Sequence, residues 1–105
     1  MTPQPESAIL RAVRQHLRLQ GFFTIRNVAG IGTHPGLSDL MAVRDGVTIF
    51  IEVKTATGKL SKPQERFCRA VTAHGATYLL VRSVDDMATF TGGCLCLAEG
   101  GDATD

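Results

Sequence analysis

The sequence predicts an α/β sandwich built around a small mixed sheet. Three observations carry that expectation. Hydrophobic spacing gives the element order helix, three strands, helix, strand. Asp45-Gly46, set between two apolar runs, is a strong two-residue hairpin signal. The run Val47-Thr48-Ile49-Phe50-Ile51 is the near-continuous apolar segment of a central strand.

The first helix is expected over residues 6–20. Pro5 suits its start and Gly21 its end. Ile9, Leu10, Val13 and Leu17 recur at three- and four-residue spacing and form its apolar stripe. A short strand follows over 22–26. Residues 27–38 contain Gly30, Gly32, Pro35 and Gly36 and read as a loop. Strands are expected over 40–44 and 47–54, antiparallel about the Asp45-Gly46 turn. Residues 55–60 form a second loop. Ser61-Lys62-Pro63-Gln64 opens the second helix, with Ser61 at the N-cap, Pro63 in the first turn and Gln64 at the capping-box position. That helix ends near His74-Gly75. A strand over 77–81, a short helix over 84–90 and an edge strand over 94–97 complete the expectation. Residues 1–98 form one domain, and the glycine-rich acidic tail 99–105 is expected to be disordered.

A chain of 105 residues is long enough for one core, burying roughly two-thirds of its unfolded surface. Its 44% hydrophobic and 20% charged residues are ordinary for a globular protein. No apolar run approaches the ~20 residues of a membrane span. Met1 to Pro5 lacks the basic and apolar stretches of a signal peptide. A cytoplasmic protein is therefore expected, with no membrane partner and no organic cofactor. Cys68, Cys94 and Cys96 show no zinc or redox spacing and read as reduced, small apolar residues. The net charge of +1 conceals an asymmetry. Residues 1–82 hold all eleven Lys and Arg against five acids, a net +6, and the remaining residues hold five acids and no base. A basic body points to a polyanionic partner.

The chemistry centres on Ile51-Glu52-Val53-Lys54. Strand alternation puts Glu52 and Lys54 on one face. Alone, Glu-x-Lys is commonly a surface ion pair. Asp39 changes its meaning. Counting back from the turn, Arg44 pairs with Val47, and Asp39 falls opposite Glu52. Two carboxylates so placed repel unless a cation joins them, and oxygen donors favour a hard ion such as Mg²⁺ or Mn²⁺. Two roles stand open for Glu6. Its offsets from Ile9, Leu10 and Val13 put it on the inward face as a third carboxylate. It also suits a helix N-terminus as a favourable charge. Gln64 likewise either points at the site, sharing a face with Phe67, Cys68 and Val71, or completes the capping box, and the two roles are compatible.

The segments Gly36-Leu37-Ser38-Asp39-Leu40, Ile51-Glu52-Val53-Lys54, Gly58-Lys59-Leu60-Ser61 with Gln64, and Gly75-Ala76-Thr77 leading into Tyr78-Leu79-Leu80-Val81-Arg82-Ser83 resemble the virus-type replication-repair nuclease (VRR-NUC) domain, of the PD-(D/E)XK superfamily. The resemblance spans about residues 6–86. Glu6, Asp39, Glu52, Lys54 and Gln64 fall on its motif positions. Ser38 stands where a proline usually precedes the aspartate. The resemblance implies the αβββαβ core with helices flanking a mixed sheet. It also implies Mg²⁺- or Mn²⁺-dependent cleavage of DNA phosphodiesters to a 5′-phosphate product. Stand-alone members, often from phages, are implied to be homodimers acting on branched DNA such as four-way (Holliday) junctions, in replication, recombination or repair, which implies a bacterial or phage-infected host cell.

On this reading Asp39, Glu52 and the Val53 carbonyl hold the metal, with Glu6 joining directly or through water. Lys54 positions the attacking water. Arg11, Arg14 and Arg18 form a basic stripe on the first helix, and Lys62, Arg66 and Arg69 form one on the second. With His34 and Lys59 in flanking loops, they are the expected DNA-phosphate contacts. One Tyr and no Trp argue against an aromatic stacking platform. A non-catalytic DNA-binding module of the same fold and a nuclease acting on RNA or unbranched DNA are the competing readings.

Overall fold

The computed structural model describes residues 4–28 and 30–88. The strand expected over 94–97, Cys94, Cys96, the end of the last helix and the tail 99–105 lie outside the described residues. The elements are α1 (Glu6–Leu19), β1 (Phe23–Arg26), β2 (Leu40–Arg44), β3 (Val47–Val53), α2 (Lys62–Ala73), β4 (Thr77–Val81) and α3 (Asp85–Ala88). This is the expected order, with ends differing by one or two residues. Among the described residues no helix is long and apolar enough to cross a membrane.

The sheet runs β1-β2-β3-β4. The first two pairings are antiparallel and the third is parallel. The mixed character follows from connection length. Asp45 and Gly46 both take positive φ, 53° and 80°, the conformation of a tight hairpin turn, so β2 and β3 must run antiparallel. A parallel neighbour needs a crossover, and α2 supplies it between β3 and β4.

Cross-strand partners divide the side chains between two faces. Leu40, Ala42, Ile49, Ile51, Val53, Leu79 and Val81 pack on Ile9, Val13 and Leu17 of α1. The other face meets α2 through Phe50 and Tyr78 against Phe67 and Cys68. Phe67 binds this second core by edge contacts, with its ring 5.3 Å from Phe50 and 6.2 Å from Tyr78. Cys68 is buried in this second core, as expected of a small apolar residue. α2 leaves the far side of this face open, where Phe23 and Ile25 of β1 are exposed.

Both helix starts match their sequence signals. In α2 the Ser61 hydroxyl accepts from the Gln64 backbone N–H, and the Gln64 side chain accepts from the Ser61 backbone N–H. This is a complete capping box. Pro5 occupies the N-cap of α1 with no side-chain cap.

The loop between β1 and β2 is clamped to α2 at Gly36. Its φ is +79°, and a Cβ there would stand 2.1 Å from the Pro63 carbonyl oxygen. Only glycine permits that backbone to lie against the first turn of α2. We expect Gly36→Ala to destabilise the domain by at least about 1–3 kcal/mol from backbone strain alone, before the clash is counted. Urea denaturation measures this, and an unchanged midpoint would show that the loop is not held at this point.

Candidate active site

The hairpin register brings Asp39 and Glu52 together. Arg44 faces Val47 and Leu40 faces Ile51, so the residues one step beyond, Asp39 and Glu52, meet past the end of the ladder. There the Asp39 side chain replaces the backbone as bonding partner. The Val53 backbone N–H donates to Asp39 Oδ2 at 2.8 Å. The Asn27 side chain donates to the Ser38 carbonyl at 2.9 Å, and the buried Ser38 hydroxyl donates to the Leu40 carbonyl at 2.9 Å. These two bonds hold the segment around Asp39, so the hydroxyl of Ser38 braces a segment that a proline at this position would stiffen through its ring.

Glu52 lies in the same row as Leu80 of β4 and is only 3% exposed. Gln64 Nε2 donates to Glu52 Oε2 at 3.1 Å, and Lys54 Nζ lies 3.8 Å from the same oxygen. Both roles expected of Gln64 are therefore filled at once: its oxygen caps α2 and its nitrogen holds Glu52. The other Glu52 oxygen, Oε1, is buried and has no hydrogen-bond partner. Burial first, then the charge of Asp39, the hydrogen bond a protonated carboxyl makes with it and a smaller push from Glu6 raise the Glu52 carboxyl to about 8, against the opposing charge of Lys54.

Of the two placements open to Glu6, the structure shows the helix N-terminus: the residue is exposed and not turned inward. It is the first residue of the helix, and Ile9, one turn on, is the first residue the core covers. Among the described residues, no three His, Cys, Asp or Glu side chains gather as a ready metal cage. Asp39 and Glu52 are the close pair, and Glu6 reaches it only as a charge.

The basic residues divide between the two faces of the sheet. Lys62, Arg66 and Arg69 ride on α2, on the face that carries Glu52. Arg11, Arg14 and Arg18 ride on α1, which covers the opposite face. Arg18 Nε donates to Thr24 Oγ1 at 3.3 Å, and Lys62 Nζ pairs with Glu65 at 3.7 Å. Lys59 is exposed. His34 is exposed, with its ring 5.7 Å from Phe67.

Arg82 was not singled out by sequence reasoning. Its guanidinium donates to the carbonyls of Thr55 at 2.6 Å, Gly58 at 2.7 Å and Ala56 at 3.3 Å. One side chain thus fastens the whole loop that follows Lys54 and leads into Lys59. No signal in the sequence marks it, because the contact joins residues more than twenty positions apart.

A site that fits a divalent cation has oxygen donors, crowded negative charge and an unpaired buried oxygen. Asp39 and Glu52 meet all three conditions. Without a cation, a proton takes its place on Glu52. That has a measurable consequence. In the unfolded chain the carboxyl titrates near 4.5, and in the folded chain near 8. Between those values the folded state binds more protons, so stability falls as pH rises. The contribution is fully present below 4.5 and gone above 8. In EDTA we expect Glu52→Gln to gain on wild type across that window, by at most about 1.4 kcal/mol per pH unit. Thermal melts at several pH values test this, and parallel pH profiles would contradict it.

No protein-family model matches the sequence, and no curated protein matches it significantly. The structure is similar to a solved structure described as a VRR_NUC domain. The TM-score is 0.69 at 24% identity, over 79% of this chain and 89% of that chain. The mixed sheet between helices seen in the described residues thus has the fold of a VRR_NUC domain.

Proposed function

We propose that this chain is a metal-dependent DNA endonuclease of the VRR-NUC family. The observation that carries the reading is the buried Glu52 carboxyl, crowded by Asp39, held by Gln64 and flanked by Lys54 at 3.8 Å. A structural ion pair does not require the second carboxylate or the unpaired oxygen. The name of the similar structure supports a nuclease, and the basic body supports a nucleic-acid substrate.

Asp39, Glu52 and the Val53 carbonyl would hold Mg²⁺ or Mn²⁺, with Glu6 contributing charge or a water-mediated contact. When bound, such an ion polarises the scissile phosphate and lowers the pKa of water. Lys54 orients the attacking water and offsets the charge that builds on the phosphate oxygens. Gln64 fixes the rotamer of Glu52, and the Val53 N–H fixes that of Asp39. Water attacks phosphorus, the bond to the 3′ oxygen breaks, and the product carries a 5′-phosphate. Two copies related by a two-fold axis would supply the paired cuts that a four-way junction needs. Branched DNA is accordingly the proposed substrate, in replication, recombination or repair.

Asp39→Ala, Glu52→Ala and Lys54→Ala should each reduce nicking at least about a hundredfold, the scale of a lost electrostatic or acid–base contribution. A panel of linear, flapped and four-way DNA and of RNA, with and without Mg²⁺, tests the reading, and light scattering on the same preparation reads the assembly. Binding without cleavage by wild type in Mg²⁺ and Mn²⁺ would favour a non-catalytic module instead. Preference for RNA would reassign the substrate.

The division of basic residues sharpens the expectation for binding. Charge reversal of Lys62, Arg66 and Arg69 together should weaken DNA binding and lower the slope of log K against log salt by about 0.9 per lost phosphate contact. The same change at Arg11, Arg14 and Arg18, across the sheet from Glu52, should do much less. Equal effects of the two triple variants would contradict this placement.

A further inference from the structure

A cleft of about 430 Å³ opens from Asp39 and Gln64 and lies between the β1–β2 loop and the first turn of α2. That volume is within the ~300–1,000 Å³ range of small-molecule sites. Among the described residues its lining contains no Lys or Arg, and Asp39 is its only acid. Beyond the cation proposed at Asp39, a phosphate placed here would meet no Lys or Arg side chain of the described lining, so the rest of the cleft offers the DNA backbone no charged partner. Val28, Pro35, Leu37 and Pro63 provide apolar surface. Hydrogen-bonding groups stand among them. Asn27 uses its amide nitrogen on the Ser38 carbonyl, which leaves its oxygen as an acceptor. His34 Nδ1 lies 2.9 Å from the Pro35 carbonyl, so that nitrogen carries the hydrogen and Nε2 remains for a ligand. Gly36, pressed on the Pro63 backbone, fixes the wall between loop and helix.

A flat, neutral group with apolar faces and a hydrogen-bonding edge suits this lining, and a nucleobase is such a group. In paired duplex the base beside a scissile phosphate is stacked inside the helix and cannot reach a pocket. An unpaired or extruded base can, and extrusion costs least where pairing is already lost. We propose that the cleft receives one unstacked DNA base next to the scissile phosphate, so that the chain cuts preferentially beside an unpaired nucleotide. This inference rests on the nuclease reading and adds to it a structural feature of the substrate.

The test uses 2-aminopurine, a base whose fluorescence rises when it leaves the stack, placed as a single-base bulge or in a fully paired duplex. Titrations in Ca²⁺ read binding without depending on turnover. Wild type should raise the bulge signal severalfold and leave the paired signal nearly unchanged. Val28→Trp, at an exposed position of the lining, should fill the cleft and remove the rise. His34→Ala, also exposed, should reduce it. In Mg²⁺, wild type should cut beside the bulge about tenfold faster than in paired DNA, the scale of one base contact, and Val28→Trp should bring that ratio toward one. No rise with wild type, or the same rise with Val28→Trp, overturns the proposal. If wild type cleaves no DNA, the nuclease reading fails, and the fluorescence result still decides the pocket.

Discussion

Glu52 is an acid in a position that disfavours its charge, and much of the domain is arranged around that fact. It sits on a central strand, 3% exposed, beside a second carboxylate. A buried carboxylate without compensation is costly, and two together are worse. The compensation present in the chain is partial. Lys54 lies at 3.8 Å and Gln64 donates one hydrogen bond, and both act on the same oxygen. The remaining oxygen is left to a proton or to something outside the chain. A core built for stability alone would place an apolar residue here, as it does at Ile49, Ile51 and Val53 on the other face of the same strand.

Three elements converge on that residue, and each is registered to the others by a specific contact. The hairpin sets Asp39 opposite Glu52, and the bond from the Val53 N–H to Asp39 Oδ2 extends the ladder by one side-chain rung. The capping box ties the start of α2 to the site, because one Gln64 amide both closes the helix end and holds Glu52. The contact of Gly36 with Pro63 then joins the β1–β2 loop to the same helix turn. A change at any of these points is felt at the carboxylates through a few covalent and hydrogen-bonded steps.

Local chemistry made part of this legible in the sequence. The Asp45-Gly46 turn fixes strand direction and register, so pairing of Asp39 with Glu52 could be counted without a structure. The capping signal in Ser61-Lys62-Pro63-Gln64 likewise depends on adjacent residues only. What escaped was set by distant packing. Periodicity placed Glu6 on the apolar stripe of α1 but could not show that the first turn lies outside the packed interior. The stripes Arg11-Arg14-Arg18 and Lys62-Arg66-Arg69 look equivalent as sequences. They differ because alternate residues of β3 send α1 and α2 to opposite faces. Arg82 and Gly36 act on residues more than twenty positions away, where spacing carries no information.

The location of the site within the sheet follows from the parallel pairing of β3 with β4. β3 and β4 run side by side and end together, with Val53 opposite Val81. Chain segments leaving parallel strands at their carboxyl ends diverge and leave a crevice, the usual place for a ligand in α/β folds. Here the two exits are bound to each other. The Lys54 backbone N–H donates to the Val81 carbonyl at 3.0 Å, and Arg82, the next residue of the β4 exit, holds the Thr55–Gly58 carbonyls of the β3 exit. An arginine cannot lose its charge in the accessible pH range, so this clamp keeps its grip whatever the protonation of Glu52. In the proposed function a cation would replace the proton on the carboxyl pair, and the hydrogen bonds of this clamp do not involve either carboxyl. Preorganisation of that kind is what electrostatic catalysis requires, since groups already fixed need no reorganisation as charge develops on a substrate.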